Sequence, residues 1–260
     1  MQYKFYKYQG TGNDFVIMDN RAGQLVLSEQ QVKHLCDRRF GIGADGLMLL
    51  NSLDGYDFDM KYYNADGRES SMCGNGGRCL TRFAYDRGIH RSTYRFMAVD
   101  GEHEAELEEH TGWIRLRMKN VTGIEEYHGD SVLDTGSPHY VKSVPDVMAL
   151  NVFREGRDIR YSKHFEEAGI NVNFVEGNDR NIIVRTYERG VEDETYSCGT
   201  GVTAAALVFA HNEMGFNRVE VKTLGGHLAV EFDKTGNESF ENIWLCGPAT
   251  FVFEGNIELS

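Results

Sequence analysis

The sequence predicts an α+β protein made of two pseudo-symmetric domains, each a mostly antiparallel or mixed β-sheet wrapped around a central α-helix. Three observations support this fold class. Strand-like segments of alternating or clustered apolar residues fill most of both halves of the chain. Each half also holds one strongly helical segment, which begins with a cysteine and a glycine. Finally, the spacing of short motifs repeats along the chain, which indicates an internal duplication.

The repeat has an offset of 124 or 125 residues. We therefore predict a first domain over 1–120 and a second over 121–246, with the tail at 247–260 returning to the first domain. The register points that support this duplication are Thr11-Gly12-Asn13 with Thr135-Gly136-Ser137, Gly46 with Asn171, Tyr63-Asn64 with Tyr187-Glu188, Cys73 with Cys198, and Gly101-Glu102-His103 with Gly225-Gly226-His227.

The first elements are a strand, a turn and a second strand. Apolar residues cluster at 3–8 and 15–19, on either side of a glycine-containing turn at 10–14. Ser28 is a typical N-cap for a short helix toward residue 38. The same reasoning predicts further strands in the first half at 47–50, 57–63, 94–99, 103–107 and 113–118.

Two longer helices follow the two cysteine motifs. The first begins after Cys73 and ends near Gly88, a typical position for a helix-terminating glycine. The second is predicted from Val202 to Met214 and is apolar on nearly all sides. A helix of that composition is expected to be enclosed by a sheet rather than to lie on the surface.

Composition excludes several classes of function. The formal net charge is −13, and no basic stripe is present to neutralise phosphates, so nucleic acid is not the expected partner. The sequence shows neither a signal peptide nor an apolar run long enough to span a membrane. Five cysteines, an odd number at irregular spacing, favour a reducing, cytoplasmic setting.

The cysteines divide into two groups. Cys36, Cys79 and Cys246 are expected to pack as small hydrophobic residues. No Cys-x-x-Cys pair and no histidine at ligand spacing is present, so no metal site is predicted. Cys73 and Cys198 differ because each precedes small, flexible residues and a helix.

A cysteine at a helix N-terminus is suited to acid/base chemistry. The unpaired N–H groups and the positive end of the helix dipole stabilise a thiolate there, and they also bind carboxylates. Two matched thiols at the interface of a duplicated fold are suited to removing a proton from one face of a carbon and returning it on the other. This pattern predicts a racemase or epimerase that needs no cofactor. His139 and Glu188, at matching ends of the motifs, are candidates for tuning the exchange of protons.

The sequence resembles the diaminopimelate epimerase family over nearly its whole length. The resemblance rests on the following motifs: Gly12-Asn13-Asp14-Phe15, Arg39-Phe40-Gly41-Ile42-Gly43-Ala44-Asp45-Gly46, Tyr63-Asn64-Ala65-Asp66-Gly67, Met72-Cys73-Gly74-Asn75-Gly76, Gly136-Ser137-Pro138-His139, Tyr187-Glu188-Arg189-Gly190 and Ser197-Cys198-Gly199-Thr200-Gly201.

The resemblance implies a cofactor-independent enzyme that interconverts LL- and meso-diaminopimelate, in lysine and cell-wall precursor synthesis. It implies Cys73 and Cys198 as the two acid/base residues. The carboxylate at the reacting centre would then bind at the helix starts, through Gly74, Asn75, Gly199 and Thr200. The residues that the resemblance implies in contact with substrate, several of them at its distal amino-acid group, are Asn13, Asn64, Asn171, Glu188 and Arg189.

Two positions depart from the family pattern. Many members carry Gln where this chain has Gly46, and many carry Asn where it has Ser137. The side-chain hydrogen bonds of Gln are lost at Gly46, and Ser137 offers a shorter hydroxyl. These differences concern how the distal group is recognised, so no substrate contact is assigned to Gly46.

Three alternatives stay open. A proline or hydroxyproline racemase shares the fold and the paired cysteines, but it usually has His where this chain has Asn75. A non-catalytic binding or dimerisation protein would not need two matched thiols. Oxidation of Cys73 and Cys198 to an inactive disulfide could accompany catalysis. The sequence does not determine the oligomeric state, and a homodimer is compatible with it.

Overall fold

The computed structural model describes residues 2–178, 180–209 and 213–259. The chain divides into two compact units, one comprising Met1–Leu116 with Gly247–Ser260, and the other Arg117–Cys246. Its elements in chain order are β1 Gln2–Gly10, β2 Asn13–Asp19, α1 Glu29–Cys36, β3 Gly46–Asn51, β4 Phe58–Asn64, α2 Gly74–Asp86, β5 Thr93–Ala98, β6 Gly101–Glu108, β7 Trp113–Arg117, β8 Val121–Thr122, β9 Glu125–Tyr127, β10 Asp130–Asp134, β11 Pro138–Ser143, α3 Val152–Arg160, β12 Asn171–Gly177, β13 Asn181–Glu188, β14 Asp193–Thr195, α4 Gly199–Val208, β15 Gly215–Thr223, β16 Gly226–Gly236, β17 Ser239–Pro248 and β18 Thr250–Glu258.

In the first unit the strands follow the order β18, β1, β2, β3, β4, β5, β6, β7. The pairs β2–β3 and β4–β5 are parallel, and the other pairs are antiparallel. A parallel pair needs a crossover connection, and here α1 and α2 supply the two crossovers. The central helix α2 contacts strands β1 to β4, β6 and β18 of this sheet.

In the second unit the order is β9, β10, β11, β12, β13, β15, β16, β17. Again the third and fifth pairs, β11–β12 and β13–β15, are parallel and the others antiparallel. The crossovers are α3 and α4, and α4 contacts six strands of this sheet. The two units have the same order of parallel and antiparallel strand pairs. The predicted α+β class with two repeated halves is therefore confirmed.

The ends of the helices can be compared with the boundaries predicted from the sequence. Ser28 caps α1 with a full capping box, in which Ser28 and Gln31 bond each other's backbone N–H groups. The central helix α2 ends at Asp86, followed by Gly88 at φ +92°. The prediction that the second central helix reaches Met214 is wrong, because α4 ends at Val208 with its C-cap at Phe209. Residues 210–212 of that prediction lie outside the described residues.

The two central helices are buried over most of their length. In α4 every residue from Val202 to Leu207 is buried, and so are Gly199 and Gly201 in its first turn. Cys36, Cys79 and Cys246 are buried, as expected, and in the part of the chain that the structure describes they form no disulfide. Among the residues described, no helix combines the length and the apolar composition that a membrane crossing requires.

Candidate active site

Cys73 is the N-cap of α2. Its extended backbone, at φ −102° and ψ 128°, turns the chain into the helix, and its side chain makes no capping hydrogen bond. The first turn contains Gly74, Asn75 and Gly76, and its first helical bond runs from the N–H of Gly77 to the carbonyl of Cys73, at 2.7 Å. The half-buried thiol therefore lies at the positive end of the helix dipole.

Asn13 connects this helix start to the turn between β1 and β2. Its Oδ1 accepts from the Cys73 thiol at 3.5 Å and from Nδ2 of Asn75 at 3.3 Å. Its own Nδ2 donates to Asp45 at 2.6 Å. Three of the side chains that the sequence predicts for the site, those of Asn13, Cys73 and Asn75, thus contact one another within this unit.

A charged cluster holds the turn that carries Asn13. Arg38 donates to Asp14 and Asp45 at 2.7 Å each, and Lys7 pairs with Asp14 at 2.7 Å. Burial alone would raise the pKa of Asp14, but the hydrogen bonds from Arg38 and Lys7 outweigh it and lower the pKa to about 2. The carboxylate therefore stays ionised at neutral pH and anchors the turn.

Cys198 repeats the arrangement in the second unit. It is the N-cap of α4, with an extended backbone at φ −112° and ψ 112° and no capping bond from its side chain. Its sulfur lies 3.5 Å from Oγ1 of Thr200, and the carbonyl of Thr200 accepts a hydrogen bond from Thr135 at 2.9 Å. The N–H of Val202 closes the first helical bond to Cys198 at 2.8 Å.

His139 lies beneath the first turn of α4. A Cβ added to Gly201 would come within 3.3 Å of Cε1 of His139, and it would overlap Oδ1 of Asn173. The imidazole is fully buried, and this burial lowers its pKa to about 3, so it is neutral at physiological pH. Glycine at position 201 therefore allows Asn173, and with it the ring, to approach the helix so closely.

The hydrogen bonds of Asn173 assign the tautomer of His139. Oδ1 of Asn173 accepts from Thr186 at 2.9 Å, so its Nδ2 donates both to the Tyr140 carbonyl and to Nδ1 of His139, each at 3.0 Å. Nδ1 is therefore an acceptor, and the proton of the neutral ring is on Nε2. This buried Nε2–H has no hydrogen-bond acceptor among the described residues.

Asn171, Arg189 and Ser137 form a second polar cluster in this unit. Asn171 donates to Oγ of Ser137 at 2.9 Å and accepts from the backbone N–H of Arg189 at 2.9 Å. The guanidinium of Arg189 donates to the Ala168 carbonyl at 3.1 Å and to Ser137 at 3.4 Å. The shorter Ser137 side chain thus joins two of the predicted substrate-contacting residues.

The remaining predicted residues lie at strand ends. Glu188 lies half-buried at the end of β13 and accepts a hydrogen bond from Thr195 at 2.9 Å. Thr195 is the last residue of β14, three residues before Cys198. Asn64 ends β4 with an exposed side chain, and its backbone bonds those of Gly67 and Arg68.

Several residues of the site were not predicted from the sequence. Asn173 links His139 to the sheet, Asp45 and Arg38 hold Asn13, and Thr135 contacts the start of α4. A signal for Asn173 was present, because a polar residue at a buried strand position needs a partner. Across 2–178, 180–209 and 213–259, no group of three or more His, Cys, Asp or Glu side chains is arranged to hold a metal ion.

Curated relatives resemble the chain over nearly its full length. The protein from Flavobacterium psychrophilum named "Diaminopimelate epimerase" is 48% identical over 98% of this chain and 100% of its own. Those of the same name from Chlorobaculum tepidum and Aquifex aeolicus are 43% and 39% identical, over 96% and 98% of this chain and 99% and 97% of their own.

Solved structures share the fold at low identity. A phenazine biosynthesis protein of the PhzF family from Bacillus anthracis has a TM-score of 0.80 at 14% identity and covers 100% of both chains. A hydroxyproline epimerase from Agrobacterium vitis has a TM-score of 0.69 at 12% identity, over 98% of this chain and 92% of its own. The model of the family described as "Diaminopimelate epimerase" matches this chain twice, over residues 5–124 and 131–252. The chain therefore belongs to the diaminopimelate epimerase family.

Proposed function

We propose that this protein interconverts LL- and meso-2,6-diaminopimelate, a step of lysine and peptidoglycan precursor synthesis, with Cys73 and Cys198 as its two acid/base residues. One repeated observation supports this proposal. In each unit a cysteine is the N-cap of the central helix, its side chain makes no capping hydrogen bond, and a glycine opens the first turn. Each unit then contributes one thiol to the reaction.

The proposed reaction is a proton exchange at the α-carbon. A thiolate takes the α-proton and becomes a thiol, while the electron pair of the C–H bond moves into the carboxylate to give an enediolate. The other thiol delivers its proton to the opposite face of the carbon and becomes the thiolate. After one turnover the two residues have exchanged protonation states, so the reverse reaction restores the original form.

The helix starts would stabilise the charge that develops on the substrate carboxylate. The N–H groups of the first turn of any α-helix lack acceptors within the helix. In this chain the first internal bonds are those of Gly77 and Val202, so the N–H groups of residues 74–75 and 199–200 precede them. Donors fixed in this way stabilise an oxyanion without reorganisation during the reaction.

We propose that His139 and Glu188 tune the proton exchange at Cys198. The neutral imidazole lies beneath the first turn of α4, next to Gly201. Glu188 holds Thr195, three residues before the thiol, through a 2.9 Å hydrogen bond. Both residues therefore act on the segment that positions Cys198.

The polar residues around the two helix starts are proposed to bind the zwitterionic ends of the substrate. Amide side chains donate and accept hydrogen bonds, and a planar guanidinium matches a carboxylate. The residues assigned to substrate binding in this proposal are Asn13, Asn64, Gly74, Asn75, Asn171, Glu188, Arg189, Gly199 and Thr200.

The deciding experiment is proton NMR of the purified protein with LL-diaminopimelate in D₂O, with a reductant and without pyridoxal phosphate. We expect the meso isomer to form with deuterium at the α-carbon. Exchange with proline or hydroxyproline but not with diaminopimelate would instead favour a proline racemase-type enzyme. Calorimetric binding of diaminopimelate without exchange would favour a binding protein.

Three expectations about the setting of the enzyme stay predictions. The proposed chemistry uses two thiols and helix N–H groups, so it should not require pyridoxal phosphate. Full activity after treatment with hydroxylamine, which removes that cofactor from enzymes, would support this expectation. A reducing, cytoplasmic compartment would keep the thiols reduced. Sedimentation equilibrium would decide whether the protein is a homodimer.

A further inference from the structure

Gly46 leaves no space for a side chain. A Cβ added to Gly46 would lie 2.5 Å from Cε2 and 3.0 Å from the hydroxyl oxygen of Tyr62, and 2.6 Å from the carbonyl oxygen of Tyr63. The volume over this glycine is therefore filled by the phenol of Tyr62, a buried side chain. The larger side chain that many family members carry at this position could not fit over the same phenol.

Position 46 lies on the face of the first unit's sheet against which the first turn of α2 packs. Gly46 pairs with Asn64 across β3 and β4, and Met48 pairs with Tyr62, so these four residues share one face. The methyl end of Met48 occupies the space where a Cβ on Gly76 would be, in the first turn of α2. The phenol of Tyr62 therefore lies on the side of the sheet that carries Cys73.

The internal duplication independently indicates that position 46 borders the polar part of the site. In the repeat register Gly46 corresponds to Asn171, whose amide bonds Ser137 and the backbone of Arg189. In the second unit this position thus supplies an amide to a polar cluster of the site. In the first unit the position supplies no side chain, and a phenol from the neighbouring strand covers it instead.

We propose that Tyr62 is a specificity-determining residue, whose phenol fills the space above Gly46 and presents its hydroxyl to the polar end group of an amino-acid substrate beside Asn64. This inference rests on the proposed function and names a residue that recognises the substrate of that same site. A phenol both donates and accepts a hydrogen bond, so it can replace an amide toward a carboxylate or an ammonium group. The ring of Phe15, edge-on at 6.0 Å, holds the phenol in place.

The test compares two tyrosines that are adjacent in β4. Tyr62→Phe keeps the ring and removes the hydroxyl that lies over Gly46. Tyr63→Phe removes the hydroxyl of an equally buried residue, which packs in the apolar cluster with Val32 and Leu35 of α1. We expect Tyr62→Phe to raise the KM for LL-diaminopimelate about tenfold, the loss typical of one hydrogen bond to a charged group, with kcat changed less than threefold. Tyr63→Phe should leave KM within twofold of the original value.

A double variant tests how much of the crowding at position 46 comes from the Tyr62 ring. Gly46→Gln alone should raise KM strongly, because its Cβ meets both the Tyr62 ring and the carbonyl oxygen of Tyr63. Gly46→Gln combined with Tyr62→Leu removes the ring but not the carbonyl contact and supplies an amide, so we expect its KM to fall below that of Gly46→Gln alone.

Each result bears on the inference. Equal KM values for the two Phe variants of an active enzyme would overturn the assignment of Tyr62 while leaving the proposed function intact. An unaltered protein that does not exchange the α-proton of diaminopimelate would contradict the proposed function, together with the inference that rests on it.

Discussion

Cys73 and Cys198 occupy N-cap positions that Ser, Thr, Asp or Asn usually fill. Neither side chain caps its helix, so these residues contribute little to helix stability through that contact. A residue type that is poor at capping, placed twice at the same structural position, is better explained by chemistry than by stability. The two thiols can therefore be replaced with small structural cost.

Removal of either thiol should abolish turnover without unfolding the protein. We expect Cys73→Ser or Cys198→Ser to lower kcat by about 10³-fold or more, because a hydroxyl is a much weaker acid than a thiol. The melting temperature should change by no more than about 2 °C. NMR-detected α-proton exchange and a thermal melt measure the two effects.

Cys36→Ala is the matched control for these variants. Its thiol is buried, and burial raises its pKa to about 12, so it is not expected to take part in proton exchange. The variant should keep its turnover per folded molecule, even if its stability falls. Normal epimerisation in either serine variant would contradict the two-thiol mechanism.

The buried imidazole of His139 should make stability depend on pH. Burial lowers its pKa from 6.5 to about 3, so between these values the unfolded chain binds the proton and the folded chain does not. The free energy of unfolding should therefore fall as pH decreases from about 6.5 to 3, by up to about 1.4 kcal/mol per pH unit for this group. Urea unfolding at a series of pH values measures the slope.

His139→Asn is the comparison for that slope, because its amide does not titrate and its Oδ1 takes the place of Nδ1, so it can still accept from Asn173. The variant should lose part of the pH dependence above pH 4. Asp14 does not confuse the comparison, since its pKa is lowered to about 2 and its stabilising contribution is lost only below about pH 4. Identical slopes for both proteins would show that His139 takes up a proton in the folded state.

Individual residues were predictable from the sequence where a motif combined unusual residue types. The positions of Cys73 and Cys198 at helix starts were predictable because cysteine followed by glycine and a helical segment is a recognisable pattern. Asn173 was missed because it lies in a strand whose apolar neighbours determine the pattern, and its role depends on His139, 34 residues away. The phenol over Gly46 was not predictable, since it depends on how two strands are paired.

At the scale of elements, each central helix approaches its sheet through glycines in its first turn. Gly76 meets Met48, and Gly201 meets Asn173 and His139. These glycines reduce the intrinsic helix propensity, but they allow the helix start to lie against polar side chains of the sheet. Close packing of the helix N-terminus thus accounts for their presence.

Gly201→Ala should disrupt this packing. The added methyl overlaps Oδ1 of Asn173, which Thr186 holds in place, so the Asn173–His139 pair must move. We expect a loss of about 1–3 kcal/mol in the free energy of unfolding and a drop of at least tenfold in kcat. Chemical denaturation and the exchange assay measure the two effects.

Gly77→Ala in α2 is the control for the steric explanation. The atoms nearest to its added methyl are the side-chain ends of Leu116 and Met72, at 3.2–3.4 Å, which can shift slightly. Since alanine is the better helix former by about 1 kcal/mol, this variant should be neutral or slightly stabilised. Equal destabilisation of both variants would contradict the specific role of Gly201.

Elements with strong local signals were predicted well, and those that depend on tertiary contacts were not. The capping box at Ser28 and the strands around residues 47–50 and 57–63 match the structure to within about two residues. Helix α3 was not identified, because only Val152 and Gly156 are buried along it, and Gly156 packs against Tyr187. An apolar run also made α4 look longer than it is.

At the scale of the whole molecule, the two units show one order of parallel and antiparallel pairs. The outermost strand of that order in the first unit, β18, comes from the end of the chain. It pairs with β1 in antiparallel register from Gln2 with Glu258 to Gln9 with Thr250. The ring of Phe253 also meets Phe5 edge-on at 6.0 Å. The first unit is thus completed by residues from both ends of the sequence.

A chain that ends at Cys246 should lose the order of β1 before that of the second unit. Without β18, the backbone groups of β1 on that side have no strand partner, and Phe5 loses its contact with Phe253. We expect amide hydrogen exchange in Gln2–Gly10 to become at least tenfold faster, as measured by mass spectrometry, while β12 and β13 change little.

Glu254→Gln is the control for the loss of β18. It breaks only the exposed ion pair with Lys4 at 2.8 Å, which contributes at most about 1 kcal/mol, and it keeps the strand. Exchange in β1 should stay close to that of the unaltered protein. If the truncated chain protects β1 as well as the complete chain does, the tail is not required to order the first unit.

The place of β18 also has a consequence for synthesis on the ribosome. The first unit is begun first, but its last strand is not made until Thr250–Glu258 emerge, whereas the second unit is continuous in sequence. Domains usually fold from the N-terminus during translation. In this protein the second unit has its full sequence before the first one does, so the nascent first half must wait, with one edge of β1 unpaired, until β18 has been made.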